Sequence, residues 1–401
     1  MPFRTGLTLG LVSLLFFLVT AETFSSLGVV LPAMVADLHW SWGQAGIGFS
    51  LLGVFCGITS TVPAMLIRRI GVRATLAAGG AVMVAACAAL ALTQSVWLYF
   101  LGCGLAGLGF TLLGTVPGTY LLARGFTRPD LAFGLYFTIG GLGGVAGPPL
   151  YFLVQSVSGG WRDFWIVSGA LALAAALLAA LLVDTGTDFA AAGEADPDIT
   201  RESWTAAAAL RTPQFAILAA SYSIFLLVGI TVSAVSVAHL MHHGVSPLVA
   251  GGLMSLEAFI NAGARLLGGV LSRLIDARRL LLLSLLALML GLGALSVAGG
   301  PLVLVLYAAG IGIGYGLTFF AATILLLDYF GRGPNLELFA IVNLISTVGS
   351  VGPTFAGLVF DRTASFVPAF AALAVLVLAV LGAVAWMKPP RREAAAAPVA
   401  A

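Results

Sequence analysis

Three polar side chains recur at four-residue intervals within one apolar stretch, GLMSLEAFINAGARLLGGVLSRLID (252–276): Glu257, Asn261 and Arg265. On a helix, residues four apart share a face. A guanidinium stays charged, and at bilayer depth a charge costs at least ~2.5–3.5 kcal/mol on insertion scales, so it normally faces a cavity and meets an anion. Because its fork can hold both oxygens of a carboxylate, Arg265 is predicted to anchor a carboxylate substrate. The alternative is a structural ion pair with Glu257 or Glu22.

Three further groups are candidates for proton coupling. Glu22 lies near the midpoint of the first apolar segment, in LLFFLVTAETFSSLG, where burial favours a protonated carboxyl. It is the first choice, although a permanently protonated acid bonded to a neighbouring helix fits equally well. Glu257 and His239 are weaker candidates. If both glutamates were ionised beside Arg265, the cavity would carry a net charge of −1 and repel an anion, so proton symport is expected.

The rest of the predicted site is aromatic and small. Tyr315 and Phe319, four residues apart, share a helix face and can stack on the organic part of a substrate, although packing in the core or against lipid is the alternative. Lesser candidates for substrate binding are Leu27, Thr115, Tyr120 and Asn343. The only lysine, Lys388, lies near the C-terminus, so no second fixed cation is available in the spans. A monocarboxylate is therefore favoured over a dicarboxylate.

The composition is that of an integral membrane protein. Charged residues make up 8% of the 401 residues and hydrophobic ones 60%, and the mean hydropathy is +1.10. The three cysteines, Cys56, Cys87 and Cys103, have no metal or redox spacing. No Walker motif and no nucleophile–base or metal constellation is present. We therefore expect a secondary carrier rather than an enzyme or an ATP-driven pump, without cofactor, metal or nucleic acid, and with no required oligomer.

Twelve segments have the ~20 predominantly apolar residues that a transmembrane helix needs. They lie at roughly 9–36, 44–67, 74–95, 97–122, 131–156, 162–183, 214–241, 248–275, 279–299, 301–328, 335–360 and 366–387. Arg162 and Arg362 are the only cations in the predicted outer loops, which places both termini in the cytoplasm and the protein in the cell (inner) membrane. The sequence therefore predicts four parts: an N-terminal six-helix half at 1–183, a cytoplasmic linker at 184–213, a C-terminal six-helix half at 214–387 and a cytoplasmic tail at 388–401.

The two predicted six-helix units are related by an internal repeat. A shift of 205 residues superposes RRIGVR (68–73) on RLIDAR (273–278), Gly147-Pro148 on Gly352-Pro353, and Gly107 and Gly109 on Gly312 and Gly314. The sequence therefore predicts an all-α membrane fold of two pseudo-repeats with the substrate site between them, near the midplane.

This organisation resembles the major facilitator superfamily. The loops AMLIRRIGVR and GVLSRLIDARR are degenerate copies of its Gly-x-Leu-x-Asp-Arg-x-Gly-Arg-Arg motif, with Arg68 where the motif has its acid, and GGLGGVAGPPLYF keeps its glycine-proline motif. The resemblance implies alternating access by a rocking movement of the two halves, with the first, fourth, seventh and tenth helices lining the cavity.

Within that superfamily the chain looks most similar to the monocarboxylate transporter branch and its bacterial, oxalate–formate exchanger-like relatives. The run from Tyr120 into LAFGLYFTIGGLGG, the segment GLVFDRTASFVPAF (357–370) and Arg265 carry this resemblance. It implies that Arg265 holds the substrate carboxylate, and that Asn261 stands where proton-linked members have an aspartate. The alternative function is a drug or metabolite efflux carrier of the same fold, with a neutral or cationic substrate.

Overall fold

The computed structural model describes residues 3–126, 129–183, 204–272, 274–331 and 333–390. All regular structure in these ranges is helical, which confirms the all-α fold class. The greater part of the predicted linker and the end of the predicted tail, 184–203 and 391–401, lie outside the described residues.

Among the described residues, the N-terminal half comprises eight α-helices, and its first two are joined by a π-helical turn at Ala21–Ser25. These helices are α1 (Phe3–Thr20), α2 (Ser26–Leu38), α3 (Trp42–Ile58), α4 (Val62–Ala91), α5 (Val96–Leu113), α6 (Thr115–Gly125), α7 (Pro129–Ser158) and α8 (Trp161–Leu182).

In the second part of the chain a short helix lies within the predicted linker, and a 3-10 turn at Thr347–Val351 joins α14 to α15. Its helices are α9 (Ala206–Leu210), α10 (Pro213–His242), α11 (Pro247–Leu271), α12 (Ala277–Val297), α13 (Pro301–Phe330), α14 (Asn335–Ser346), α15 (Gly352–Thr363) and α16 (Val367–Trp386).

These helices reproduce the predicted membrane segments. Within the described ranges, ten helical segments are long and apolar enough to cross a membrane. The apolar helix α3, with 17 residues, and α11, with 25, occupy the two remaining predicted positions. The chain is therefore a multi-pass membrane protein.

Several predicted spans are not single straight helices. The first contains the π-helical turn and the eleventh the 3-10 turn, while the fourth is broken at Gly114, where α5 ends and α6 begins. The predicted second span continues from α3 into the first turns of α4. The helix α4 itself bends at Gly71, whose positive φ of 82° is a conformation that glycine adopts without steric cost. Hydropathy measures only apolar length, so it does not reveal these breaks.

Each half contains an arginine that hydrogen-bonds to the end of the last helix of the same half, and the two arginines are related by the repeat. Arg73 donates from Nε and Nη2 to the carbonyl oxygen of Val183, at 3.2 and 2.8 Å, at the C-terminal end of α8. Arg278, its counterpart at the 205-residue shift, donates to the carbonyl oxygens of Val384 and Ala385 at the end of α16. A cation at a helix C-terminus also complements the helix dipole. The last helix of each half is thus fastened to the helix that carries Arg73 or Arg278.

Among the described residues, the most extensive contacts between the halves are those of α3 with α15, α7 with α11, and α2 with α10. Glycines permit close approach in each pair. A Cβ at Gly46 would strike the carbonyl oxygen of Pro353, a Cβ at Gly28 would strike that of Ser233, and a Cβ at Gly144 would lie 3.1 Å from Ala258 Cβ. We call the end of the molecule where α3 begins and α15 ends the Asp361 end, and the opposite end the Arg278 end.

Candidate substrate site

The helix α11 supplies the polar face of the site. It begins after Ser246, whose side chain accepts a hydrogen bond from the Val249 amide at 3.4 Å, and Pro247 occupies the first turn. Glu257, Asn261 and Arg265 then follow one another at successive turns. The helix α11 packs mainly against α13 of its own half and α7 of the other half, and also contacts α10.

Arg265 and Asn261 are in contact. The Nε of Arg265 donates to Oδ1 of Asn261 at 3.1 Å, and both side chains are half-buried. The guanidinium carbon lies 5.0 Å from the ring centroid of Phe319 and 5.8 Å from that of Tyr315. The structure therefore brings together four residues that the sequence predicted as one group.

Glycines on α13 allow α11 to approach this closely. A Cβ at Gly316 would lie 2.6 Å from the backbone oxygen of Asn261, and one at Gly312 would lie 2.7 Å from that of Glu257. On the other side, the Tyr315 ring occupies the space that a Cβ at Gly229 of α10 would need. Small residues are a general means of close helix packing in membranes. Here they place the rings of α13 beside the polar face of α11.

A second layer of aromatic rings supports the first and was not predicted. Tyr222 of α10 lies 5.7 Å from Phe319 between ring centroids, and Phe225 lies 4.9 Å from Tyr315. Phe339 of α14 lies 6.0 Å from Tyr222. Tyr222 and Phe225 are buried, whereas Phe339 is half-buried, as Tyr315 and Phe319 are. The sequence pattern that could have predicted this layer is the three-residue spacing of Tyr222 and Phe225, which places them on one helix face.

Arg265 has no carboxylate partner among the described residues. The ion pair that the described residues do contain joins Arg162 to Asp37 at 2.7 Å and lies at the Asp361 end of the N-terminal half. Glu257, which is half-buried, instead accepts a hydrogen bond from the Tyr307 hydroxyl at 3.0 Å on Oε2. The alternative of a structural ion pair between Arg265 and Glu257 or Glu22 is therefore not realised in this conformation.

Glu22 lies in the π-helical turn of the first span, in the other half. Its side chain is 1% exposed, and neither carboxyl oxygen has a hydrogen-bond partner among the described residues. An ionised carboxylate without a partner is costly in such a place, which favours the neutral acid. Glu22 is thus isolated, whereas Glu257 shares a helix face with Arg265.

The remaining candidates lie on helices other than α11 and α13. The imidazole Nε2 of His239 is buried 2.8 Å from the Leu295 carbonyl oxygen. Leu27 is fully buried in the core. The exposed Asn343 donates its amide to the Phe339 carbonyl at 2.8 Å. Thr115 and Tyr120 are half-buried on α6.

Comparison with known proteins agrees with this architecture. The chain is 25% identical over 374 residues to YycB, an uncharacterized transporter of Bacillus subtilis (strain 168), an alignment that covers 90% of this chain and 88% of YycB. The crystal structure of a mutant form of the nucleoside transporter NupG resembles it with a TM-score of 0.77, at 14% identity, over 95% of this chain and 99% of NupG.

A bacterial homologue of the human lysosomal transporter Spinster, in an inward-facing and unoccupied conformation, matches with a TM-score of 0.75 and 16% identity. That match covers 96% of this chain and 95% of the homologue. The sequence model of the Major Facilitator Superfamily matches residues 11–351. The chain therefore belongs to the Major Facilitator Superfamily and is a membrane transporter.

Proposed function

We propose that the protein is a secondary active transporter of a small organic monocarboxylate, taken up together with a proton. The observation that carries this proposal is the state of Arg265: a half-buried cation, within a membrane helix, that makes no ion pair with a described residue. A substrate carboxylate would supply the missing anion. The similarity of the chain to the monocarboxylate branch at Arg265 and at GLVFDRTASFVPAF supports the same substrate class.

The hydrogen bond to Asn261 determines how a carboxylate would bind. Because Nε already donates to Asn261 Oδ1, a carboxylate cannot bind with two free donors on the side of the guanidinium formed by Nε and one Nη. The two Nη groups remain for an end-on pair of hydrogen bonds to both carboxylate oxygens. The amide nitrogen of Asn261, beside that fork, is a further donor for the substrate.

The aromatic rings would hold the organic part of the substrate. Phe319 and Tyr315 lie against the guanidinium, and Phe339 belongs to the same cluster through Tyr222. These half-buried rings offer flat apolar surface next to a single anchoring cation. Such a site suits an acid with one carboxylate and an apolar or planar body better than a dicarboxylate.

For proton coupling we favour Glu257. It is partly accessible, lies two turns from Arg265 on the same helix face and has one oxygen bonded to Tyr307. With Glu257 protonated, Arg265 keeps its full positive potential for the anion. Glu22 we regard as an acid that stays protonated throughout transport, since it is nearly inaccessible and has no partner among the described residues. His239 is held by the Leu295 carbonyl and is not included in the proton path.

The movement that completes transport would be a rocking of the two halves about the site. The Arg278 end would face the cytoplasm, together with both termini, in the inner membrane of the cell. The positive-inside rule supports this orientation. A single chain contains both halves, so no oligomer is required.

The decisive experiment is uptake into proteoliposomes, after a thermal-shift screen of carboxylic acids has found a ligand. We expect uptake driven by an inward proton gradient, and a fall of about 100-fold or more in Arg265→Ala, because two charge-assisted hydrogen bonds are lost. Arg211→Ala, at an exposed position at the end of α9, is the matched control and should transport normally. Normal transport of the same acid by Arg265→Ala would refute the anchor. Ligands confined to cations or neutral metabolites would favour the efflux alternative.

A further inference from the structure

The carboxylate of Asp361 crosses from the C-terminal half to the N-terminal half. Asp361 lies near the end of α15, and its two oxygens accept hydrogen bonds from the first backbone amides of α3. Oδ1 accepts from the Trp42 amide at 2.9 Å, and Oδ2 accepts from the Gly43 amide at 2.8 Å. The first amides of a helix have no partner within it, and the dipole favours an anion there.

The start of α3 is arranged so that these two amides remain available. Ser41 caps the helix by accepting from the Gln44 amide at 3.2 Å, and Gln44 accepts in return from the Ser41 amide at 3.1 Å. This capping box satisfies the amides of Ser41 and Gln44 and leaves those of Trp42 and Gly43. Residue 43 is also a glycine where a Cβ would lie only 2.6 Å from Asp361 Oδ2.

Asp37, another carboxylate at this end, behaves differently. It accepts from Arg162 Nη1 at 2.7 Å and from the Trp161 indole at 3.2 Å, and all three residues belong to the N-terminal half. Among the described residues, Asp361 is therefore the carboxylate whose hydrogen bonds span the two halves. Further from the Asp361 end, α3 and α15 remain in contact. There the Thr354 hydroxyl donates a hydrogen bond to the Ser50 hydroxyl at 2.8 Å.

We propose that Asp361 and the N-terminus of α3 form a latch that holds the Asp361 end of the transporter closed and must open in each transport cycle. Both hydrogen bonds have a charged acceptor, which makes them stronger than neutral ones. They would be lost together when the halves separate at this end. This inference rests on the proposed rocking movement, but it does not depend on the identity of the substrate.

The test is the distance between the halves in the complete protein, measured by pulsed electron spin resonance in lipid nanodiscs. Spin labels at Gln94→Cys and Leu302→Cys, both exposed and one on each half, report separation at the Asp361 end, with Cys56, Cys87 and Cys103 replaced by alanine. In Asp361→Asn we expect the ratio of long to short distances to rise about tenfold, since the carboxylate becomes a neutral amide. Gly43→Ala, which changes no charge but crowds Oδ2, should shift the ratio in the same direction.

Asp37→Asn is the matched control, because it removes a carboxylate at the same end without touching the contact between the halves. It should leave the distances unchanged. Unchanged distances in both Asp361→Asn and Gly43→Ala would overturn the latch, and Gly43→Ala decides alone if Asp361→Asn does not fold. A shifted distance ratio in a protein that binds no carboxylic acid would retain the latch and refute the proposed substrate instead.

Discussion

Asn261 and Arg265 are joined by a hydrogen bond that fixes one edge of the guanidinium and leaves its other nitrogens for a ligand. The two residues lie one turn apart on α11, so the backbone of a single helix sets their geometry. Asn261 is thus a positioning residue for Arg265 as well as a candidate donor to the substrate.

Two substitutions of Asn261 should distinguish the effect of orienting the Arg265 guanidinium from the effect of its charge. In Asn261→Ala we expect a KM for the transported acid about 5–10-fold higher, since one hydrogen bond that orients the guanidinium is lost. In Asn261→Asp an ionised carboxylate would neutralise Arg265 and weaken uptake at neutral pH. Uptake should then recover as the pH falls, because protonation of the aspartate releases the guanidinium. Uptake by Asn261→Asp that is normal at neutral pH would contradict this arrangement.

The aromatic wall should discriminate between acids. Replacing Phe319 by leucine removes a ring next to the anchor, and we expect weaker binding of aromatic acids by about 0.5–1.5 kcal/mol, with a smaller effect on aliphatic acids of similar size. Competition against uptake of one labelled acid measures this ratio. Phe259→Leu, at a 58% exposed position of the helix α11, is the control. An equal loss for both classes of acid would show that the ring acts only through packing.

The two membrane glutamates should respond differently to glutamine, which resembles the protonated acid. Glu257→Gln should retain exchange of the acid across the membrane but lose its stimulation by an inward proton gradient. Glu22→Gln should keep both, because Glu22 is expected to remain neutral. Comparison of exchange with gradient-driven uptake in the same proteoliposomes provides the measurement. Loss of the gradient effect in Glu22→Gln alone would move the coupling proton to Glu22.

Close packing of α13 against α11 should be sensitive to a single methyl group. Gly316→Ala places a Cβ 2.6 Å from the backbone oxygen of Asn261, so α11 must shift. We expect destabilisation of about 1–3 kcal/mol, seen as a lower Tm, together with a raised KM. Gly293→Ala on α12, where a Cβ meets no atom within 4 Å, is the control and should be neutral or slightly stabilising. Equal Tm values for the two variants would contradict the packing.

Much of this architecture could be predicted because it depends on local periodicity. Apolar length located the membrane helices, and four-residue spacing placed Asn261 with Arg265 and Tyr315 with Phe319. The contacts between different helices could not be predicted in this way. Tyr222 and Phe339 join the aromatic cluster through the packing of α10 and α14 against α13, which no local pattern encodes.

The positions of single side chains around a helix were also beyond the sequence. His239 lies in the last turns of α10, where helix packing buries it against Phe370, 5.0 Å away between ring centroids. Glu22 was expected near the middle of its span and lies there, yet the π-helical turn around it gives no signal in the sequence. Hydropathy establishes the depth of a residue, whereas its partners are set by the rotation and tilt of whole helices.

The paired ties of Arg73 and Arg278 have a mechanical consequence. Each fastens the last helix of a half within that same half, and neither bridges to the other half. In the proposed rocking movement these bonds would be carried along unstretched, and each bundle would move as a rigid body. The energy of that proposed change would then be concentrated at the glycine-lined contacts between the bundles, where an added methyl group or a lost charge is expected to alter the rate of the cycle.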